Sequence, residues 1–122
     1  MEPKRIPTRN SEALIQAAIV KELKNLDWFV KHPHGSEFSS GFPDLFCCHR
    51  RYGHRWLEVK DPKRGHGSSI FTAAQLDTFP LLCHHGSGVW VATTHIGVEE
   101  LILKRPFNWF MFLQTGRGAL NA

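Results

Sequence analysis

Gly41-Phe42-Pro43-Asp44 and Leu57-Glu58-Val59-Lys60 are the two ends of one stretch, with the basic run Arg50-Arg51-Tyr52-Gly53 between them. Residues 44–49 and 55–60 read as two antiparallel strands joined at that run. Arg51 lies midway between Asp44 and Glu58, so a hairpin turning there sets the two carboxylates opposite each other. Opposed side chains in an antiparallel pair have Cβ atoms about 5 Å apart. Side chains alternate between faces along a strand, so Lys60 projects from the face that carries Glu58. Two acids and a lysine then converge on one patch.

Both strands are apolar on both sides, with Leu45, Phe46, Cys47 and Cys48 in one and Trp56, Leu57 and Val59 in the other. Such strands are central and covered on both faces. Acids at their ends are costly unless paired, protonated or bound to a metal. A salt-bridged sheet triad without activity accounts for the proximity of Asp44, Glu58 and Lys60. It does not account for two acids beside a single lysine, because like charges so close raise each other's pKa unless a cation intervenes.

Outward from the hairpin, residues 28–32 read as a further strand and residues 33–41 as a Gly/Ser-rich loop containing His34, Ser36 and Ser39. Before it, Ile15, Ala18, Ile19, Leu23 and Leu26 recur at helical spacing, behind a cap at Asn10 or Ser11. Glu12 shares a face with Ile15 and Ile19. Taken alone, it is a first-turn acid complementing the helix dipole.

After the hairpin, residues 61–69 form a polar loop rich in Gly and Lys. Thr72-Ala73-Ala74-Gln75 matches a capping box, in which Thr meets the N3 amide and Gln reaches back to the cap. Residues 89–93 read as a fourth strand and 98–103 as a short helix. Residues 106–113 (Phe107, Trp109, Phe110, Met111, Phe112, Leu113) are too aromatic for water, and either close the core or meet another subunit. The expected organisation is a basic arm at 1–10, one domain over 11–113 and a tail at 114–122.

At 122 residues with 42% apolar content, the chain has room for a real core without disulfide or metal staples. No apolar run approaches the roughly 18 residues that span a bilayer, and residues 1–5 do not lead into an apolar signal segment. Three cysteines, an odd number with Cys47 and Cys48 adjacent, argue for reduced, buried thiols. The expected setting is the cytoplasm, or the nucleus if the source is a eukaryote. Cys47, Cys48 and His49 do not make a zinc site, because neighbours on a strand point to opposite faces.

Net charge is +4, and residues 50–64 by themselves carry an excess of the same size. Arg50, Arg51, Lys63 and Arg64 there, with Lys4 and Arg5 in the arm, suit a polyanion such as nucleic acid. A solvated basic loop is the plainer alternative.

Pro43-Asp44, Glu58-Val59-Lys60, a preceding helix with Glu12 and a following helix with Gln75 together resemble the PD-(D/E)XK nuclease superfamily. The Gly-x-Pro-Asp-Leu run and the Gln-bearing helix look most like the virus-type replication-repair nuclease (VRR-NUC) branch, related to archaeal Holliday junction resolvases. The resemblance covers about residues 11–95. It implies an α/β restriction-endonuclease-like core in the order αβββαβ, with a central mixed four-stranded sheet flanked by helices.

The resemblance also implies Mg²⁺ or Mn²⁺, held by Asp44, Glu58 and the Val59 carbonyl, with Glu12 completing the shell directly or through water. Lys60 would act beside the attacking water, and Gln75 would position Lys60 or that water. As a capping residue alone, Gln75 is almost as well explained. The expected activity is metal-dependent endonucleolytic cleavage of branched DNA by a homodimer. The alternatives are an inactive nucleic-acid-binding module on the same fold and a restriction-type duplex endonuclease, for which the chain has little spare length. A fourth strand ending Ala92-Thr93-Thr94 without a basic residue offers less phosphate contact than a junction binder would use.

Overall fold

The computed structural model describes residues 9–33, 40–64, 67 and 70–113. In chain order its elements are α1 (Arg9–Asn25), β1 (Phe29–Lys31), β2 (Leu45–His49) and β3 (Gly53–Val59), followed by a 3-10 turn at Pro62–Arg64. Then come α2 (Ala73–His84), β4 (Val89–Ala92), α3 (Val98–Lys104) and a 3-10 turn at Trp109–Leu113. The arm residues Lys4 and Arg5, the loop residues His34, Ser36 and Ser39, and the tail at 114–122 lie outside the described residues.

The four strands form one mixed sheet in the order β1-β2-β3-β4. β1 and β3 each run antiparallel to β2, while β4 runs parallel to β3. The crossover from β3 to β4 carries α2, as a parallel connection requires. β2 and β3 pair Leu45 with Leu57 and His49 with Gly53, the register expected of a hairpin centred on Arg51.

Alternation along the strands separates two cores. On one face Val30, Leu45, Cys47, Leu57, Val59 and Ala92 pack with Ile19 and Leu23 of α1 and Val98 and Ile102 of α3. On the other, Val89 and Val91 pack with Phe71, with Phe79 of α2 and with Trp109. The C-terminal aromatic segment divides accordingly. Trp109 is buried edge-on against Phe71 and Phe79, whereas Phe107, Phe110 and Met111 stay exposed. Asn108 occupies the free edge of β4, where its Oδ1 accepts from the Val91 N–H at 2.7 Å and its Nδ2 donates to the Val91 carbonyl at 3.3 Å.

Two helix starts differ in how they are held. Thr72 caps α2 with the full reciprocal box expected, its side chain accepting from the Gln75 N–H. α1 instead begins at Arg9, so Ser11 is inside the helix rather than at its cap. Its hydroxyl donates to the Asp61 carboxylate, a tertiary partner 50 residues away that takes the place of a local amide. Leu26 lies past the end of α1 and is exposed. Asp27, at φ +74°, turns the chain toward β1.

All three cysteines are free. Burial pushes the Cys47 thiol up to about 12, with the neighbouring Cys48 adding to it, which leaves Cys47 a core side chain. Cys48 and Cys83 are only half-buried. Among the described residues no helix is long and apolar enough to cross a membrane.

Candidate active site

The hairpin register brings Asp44 and Glu58 side by side at the end of the sheet remote from the turn. Each carboxylate accepts a backbone N–H from the other's strand. The Asp44 N–H donates to Glu58 Oε1 at 3.0 Å, and the Val59 N–H donates to Asp44 Oδ2 at 2.8 Å. Two residues on, Lys60 returns to the same face and places Nζ 2.8 Å from Glu58 Oε2. Nζ also lies 5.2 Å from the centre of the Phe71 ring, a cation–π contact. Glu58 is 1% exposed and Lys60 7%, so little solvent screens this pair.

Gln75 serves both readings at once. Its Oε1 accepts the Thr72 N–H to close the capping box at 3.1 Å, while Nε2 donates to both Glu58 oxygens at 3.1 Å. It therefore orients Glu58, where the resemblance had implied Lys60 or a water as its target. The first turn of α2 also seats the loop before β2. Gly41, at φ +88°, is packed so closely on α2 that a Cβ would lie 2.5 Å from Thr78 Oγ1 and 2.6 Å from the Ala74 carbonyl oxygen. Pro43 behind it is fully buried, and the run from Gly41 delivers Asp44 to its place.

Glu12 is placed differently from expectation. It belongs to α1, on the face of the sheet opposite Asp44 and Glu58, and reaches around the end of β3 to accept the Asp61 N–H at 3.2 Å. Arg64 Nη1 stands 3.8 Å from its other oxygen. Among the described residues no three His, Cys, Asp or Glu side chains gather as a metal-ligand group, so Glu12 does not join the other two acids as a direct ligand. Sequence reading missed Asp61, which is 7% exposed and ties this corner together. It accepts from Ser11 and, through Oδ1, from the Lys63 N–H at 2.9 Å. The Ser11 bond, followed by the Lys63 amide, holds its carboxyl below the usual range. No local pattern links residue 11 to residue 61.

No protein-family model and no curated protein matches the sequence. A solved structure described as a VRR-NUC domain does match, with a TM-score of 0.59 and 25% identity over 75% of this chain and 94% of that one. The chain has the VRR-NUC fold. Its αβββαβ order and mixed sheet are those expected from the sequence.

Within this VRR-NUC fold the basic residues part company. Lys63 and Arg64 sit in the exposed 3-10 turn immediately after Asp61, with Arg64 beside Glu12. Arg50 and Arg51 are exposed at the hairpin tip, six residues of extended chain from Asp44, which is about 20 Å. The basic residues expected to hold phosphates therefore fall in two groups, one at each end of the hairpin. The hairpin that pairs Asp44 with Glu58 necessarily sends its own turn to the opposite end of the sheet.

Burial raises the Glu58 carboxyl from 4.5 to about 7. Repulsion from Asp44 adds to the rise, while Lys60 and Gln75 oppose it. Between those two values the folded state binds more protons at this site than the unfolded chain. The Glu58 contribution to stability is thus present in acid and is lost as pH rises through about 7. Thermal melts of metal-free protein between pH 4.5 and 8 should show this decline, and Glu58→Gln should flatten it. An unchanged slope in that variant would assign the decline to another group.

Proposed function

We propose that this chain is a metal-dependent DNA endonuclease that hydrolyses phosphodiester bonds in branched or otherwise structured DNA, and that it works as a homodimer. The observation that carries the reading is the reciprocal Asp44–Glu58 pair with Lys60 at 2.8 Å, set on a fold shared with a VRR-NUC domain.

The donor chemistry fits a hard divalent cation, which takes oxygen ligands. Two adjacent carboxylates, one with its pKa raised to about 7 by burial and by the other, concentrate negative charge that such a cation would neutralise. Mg²⁺ or Mn²⁺ would be held by Asp44, Glu58 and the Val59 carbonyl, with Glu12 contributing through water. When bound, such a cation supplies charge neutralisation at the phosphate and a hydroxide near neutral pH.

The chain's own residues do the remainder. Lys60, fixed by Glu58 and the Phe71 ring, orients the attacking water and steadies charge developing on the phosphate. Gln75 holds the Glu58 carboxylate at one rotamer. Lys63 and Arg64 take flanking phosphates, which position the duplex without reading its sequence. Exposed Phe107, Phe110 and Met111 support a contact between copies.

One observation favours a second reading, a nucleic-acid-binding module without catalysis. Both Glu58 oxygens already have protein partners, as they would in a purely structural triad. Labelled four-way junction, flap, single strand and duplex, incubated with Mg²⁺, Mn²⁺ or excess EDTA, separate the two. Endonucleolytic products on the junction or flap with metal, and none in EDTA, are expected. Binding without cleavage under every metal condition supports the second reading, and cleavage undiminished in EDTA overturns the first.

A further inference from the structure

Among the described residues, those that cover the sheet face carrying Asp44 and Glu58 pack over its β4 side. Val89 and Val91 on the β4 side are sealed by Phe79 and Trp109, with Trp56 at the border of that core. Toward β1 the register lays out cross-strand rows on the same face. The first row away from the carboxylates is Lys31, Phe46 and Trp56; the next is Phe29, Cys48 and His54. Each row is two residues further along the strands, so they lie about 7 and 14 Å from the acids.

These positions are aromatic and open. Phe29 is 56% exposed, His54 is exposed, and Phe46 and Trp56 are half-buried. The rings form a continuous ladder from beside Asp44 toward the hairpin tip. Trp56 meets Phe42 and Phe46 edge-on, each at 5.1 Å, and Phe46 stacks on the His54 imidazole at 5.8 Å and 24°. Lys31 is exposed beside them. The contrast with the other face is instructive, since the residues alternating with these, Val30, Leu45, Cys47 and Leu57, include no aromatic ring and are sealed beneath helices.

We infer that this aromatic sheet face is a stacking platform for unpaired bases of the DNA strand that enters the Asp44–Glu58 site. The inference rests on the nuclease reading above and gives it a substrate class: DNA with a single-stranded segment next to the scissile phosphate. Three features select this occupant. The platform is continuous with the carboxylate pair on one face. Planar rings accept any base, as sequence-independent single-strand binding requires. Lys31 at the margin, Lys60 beside the acids and a chain charge of +4 suit the phosphates that accompany those bases.

The test is the Phe29→Ala/His54→Ala double variant, whose side chains are exposed enough to remove with the fold intact, together with Phe46→Ala. Binding of a fluorescein-labelled duplex with a six-nucleotide overhang is compared with that of a blunt duplex by anisotropy in EDTA. Loss of stacking is expected to weaken overhang binding by about tenfold and blunt-duplex binding by less than twofold. Equal losses on the two probes, or none, would overturn the inference. So would sedimentation showing that the variants convert dimer to monomer with binding unchanged, which would make the face a contact between copies. The outcomes separate from those of the nuclease reading. Cleavage that persists with unchanged overhang binding removes the platform alone, whereas overhang selectivity that tracks the rings without cleavage under any metal removes the nuclease reading alone.

Discussion

Glu58→Gln is expected to lower cleavage by roughly 10³-fold or more, the scale on which loss of one preorganised electrostatic group is felt, while the protein stays folded. The substitution keeps the shape of the side chain but leaves one acceptor oxygen where Gln75 Nε2 meets two, and it cannot carry the negative charge that a cation and Lys60 both use. Lys60 Nζ, 2.8 Å from Glu58 Oε2 and 7% exposed, then has only Asp44 among the two paired acids to balance it, so the water-orienting group is loosened as well. DNA affinity in EDTA should change little, because Lys63 and Arg64 are untouched. The measurement is single-turnover cleavage of a junction or flap with saturating Mn²⁺, beside circular dichroism of the same preparation. Wild-type rates in the variant would sink the assignment of Glu58 and return the triad to a structural role.

Gly41→Ala is expected to cost about 2 to 4 kcal/mol, the sum of a left-handed backbone imposed on a residue with a Cβ and overpacking. The Cβ would meet Thr78 Oγ1 at 2.5 Å and the Ala74 carbonyl oxygen at 2.6 Å. A hydroxyl can rotate away, but the carbonyl belongs to the first turn of α2 and cannot. The chain from 41 to 44 must then lift from α2, which separates Asp44 from Glu58 and removes the support under Gln75. Thermal unfolding should therefore shift down by roughly 10 °C and cleavage should fall with it. Gly53→Ala is the control, with a similar φ of +82° but nothing within 4 Å of its Cβ, so only the backbone strain remains. A Gly41→Ala protein melting like wild type would mean that this loop is not seated on the helix.

The parts of the fold that were legible in the sequence share one property, which is that their geometry is local. Alternation with a period of two and a turn of known length determine which residues of a hairpin oppose each other, and so the pairing of Asp44 with Glu58 and the side on which Lys60 emerges follow from residue numbers alone. The capping box from Thr72 to Gln75 spans a single turn of helix. The capped start expected for α1 at Asn10 or Ser11 failed because the Ser11 hydroxyl is taken by Asp61, a partner that no spacing rule connects to it.

What only the tertiary structure decided concerns how separate elements pack. A stripe places Glu12 on the core side of α1 but not on a face of the sheet, and it lies on the face away from Asp44, held by the Asp61 N–H and Arg64. Gln75 was expected to serve Lys60 or a water, yet the seat of α2 over β3 and β4 turns its amide to Glu58. Arg50 and Arg51 are close to Lys60 in the chain and far from it in space, since an extended hairpin carries its turn away at about 3.3 Å per residue. Strand alternation identifies two faces, whereas which half of a face a helix covers depends on the path of the crossover. That path left Phe29 and His54 exposed and Phe46 half-buried on the face that carries the carboxylates.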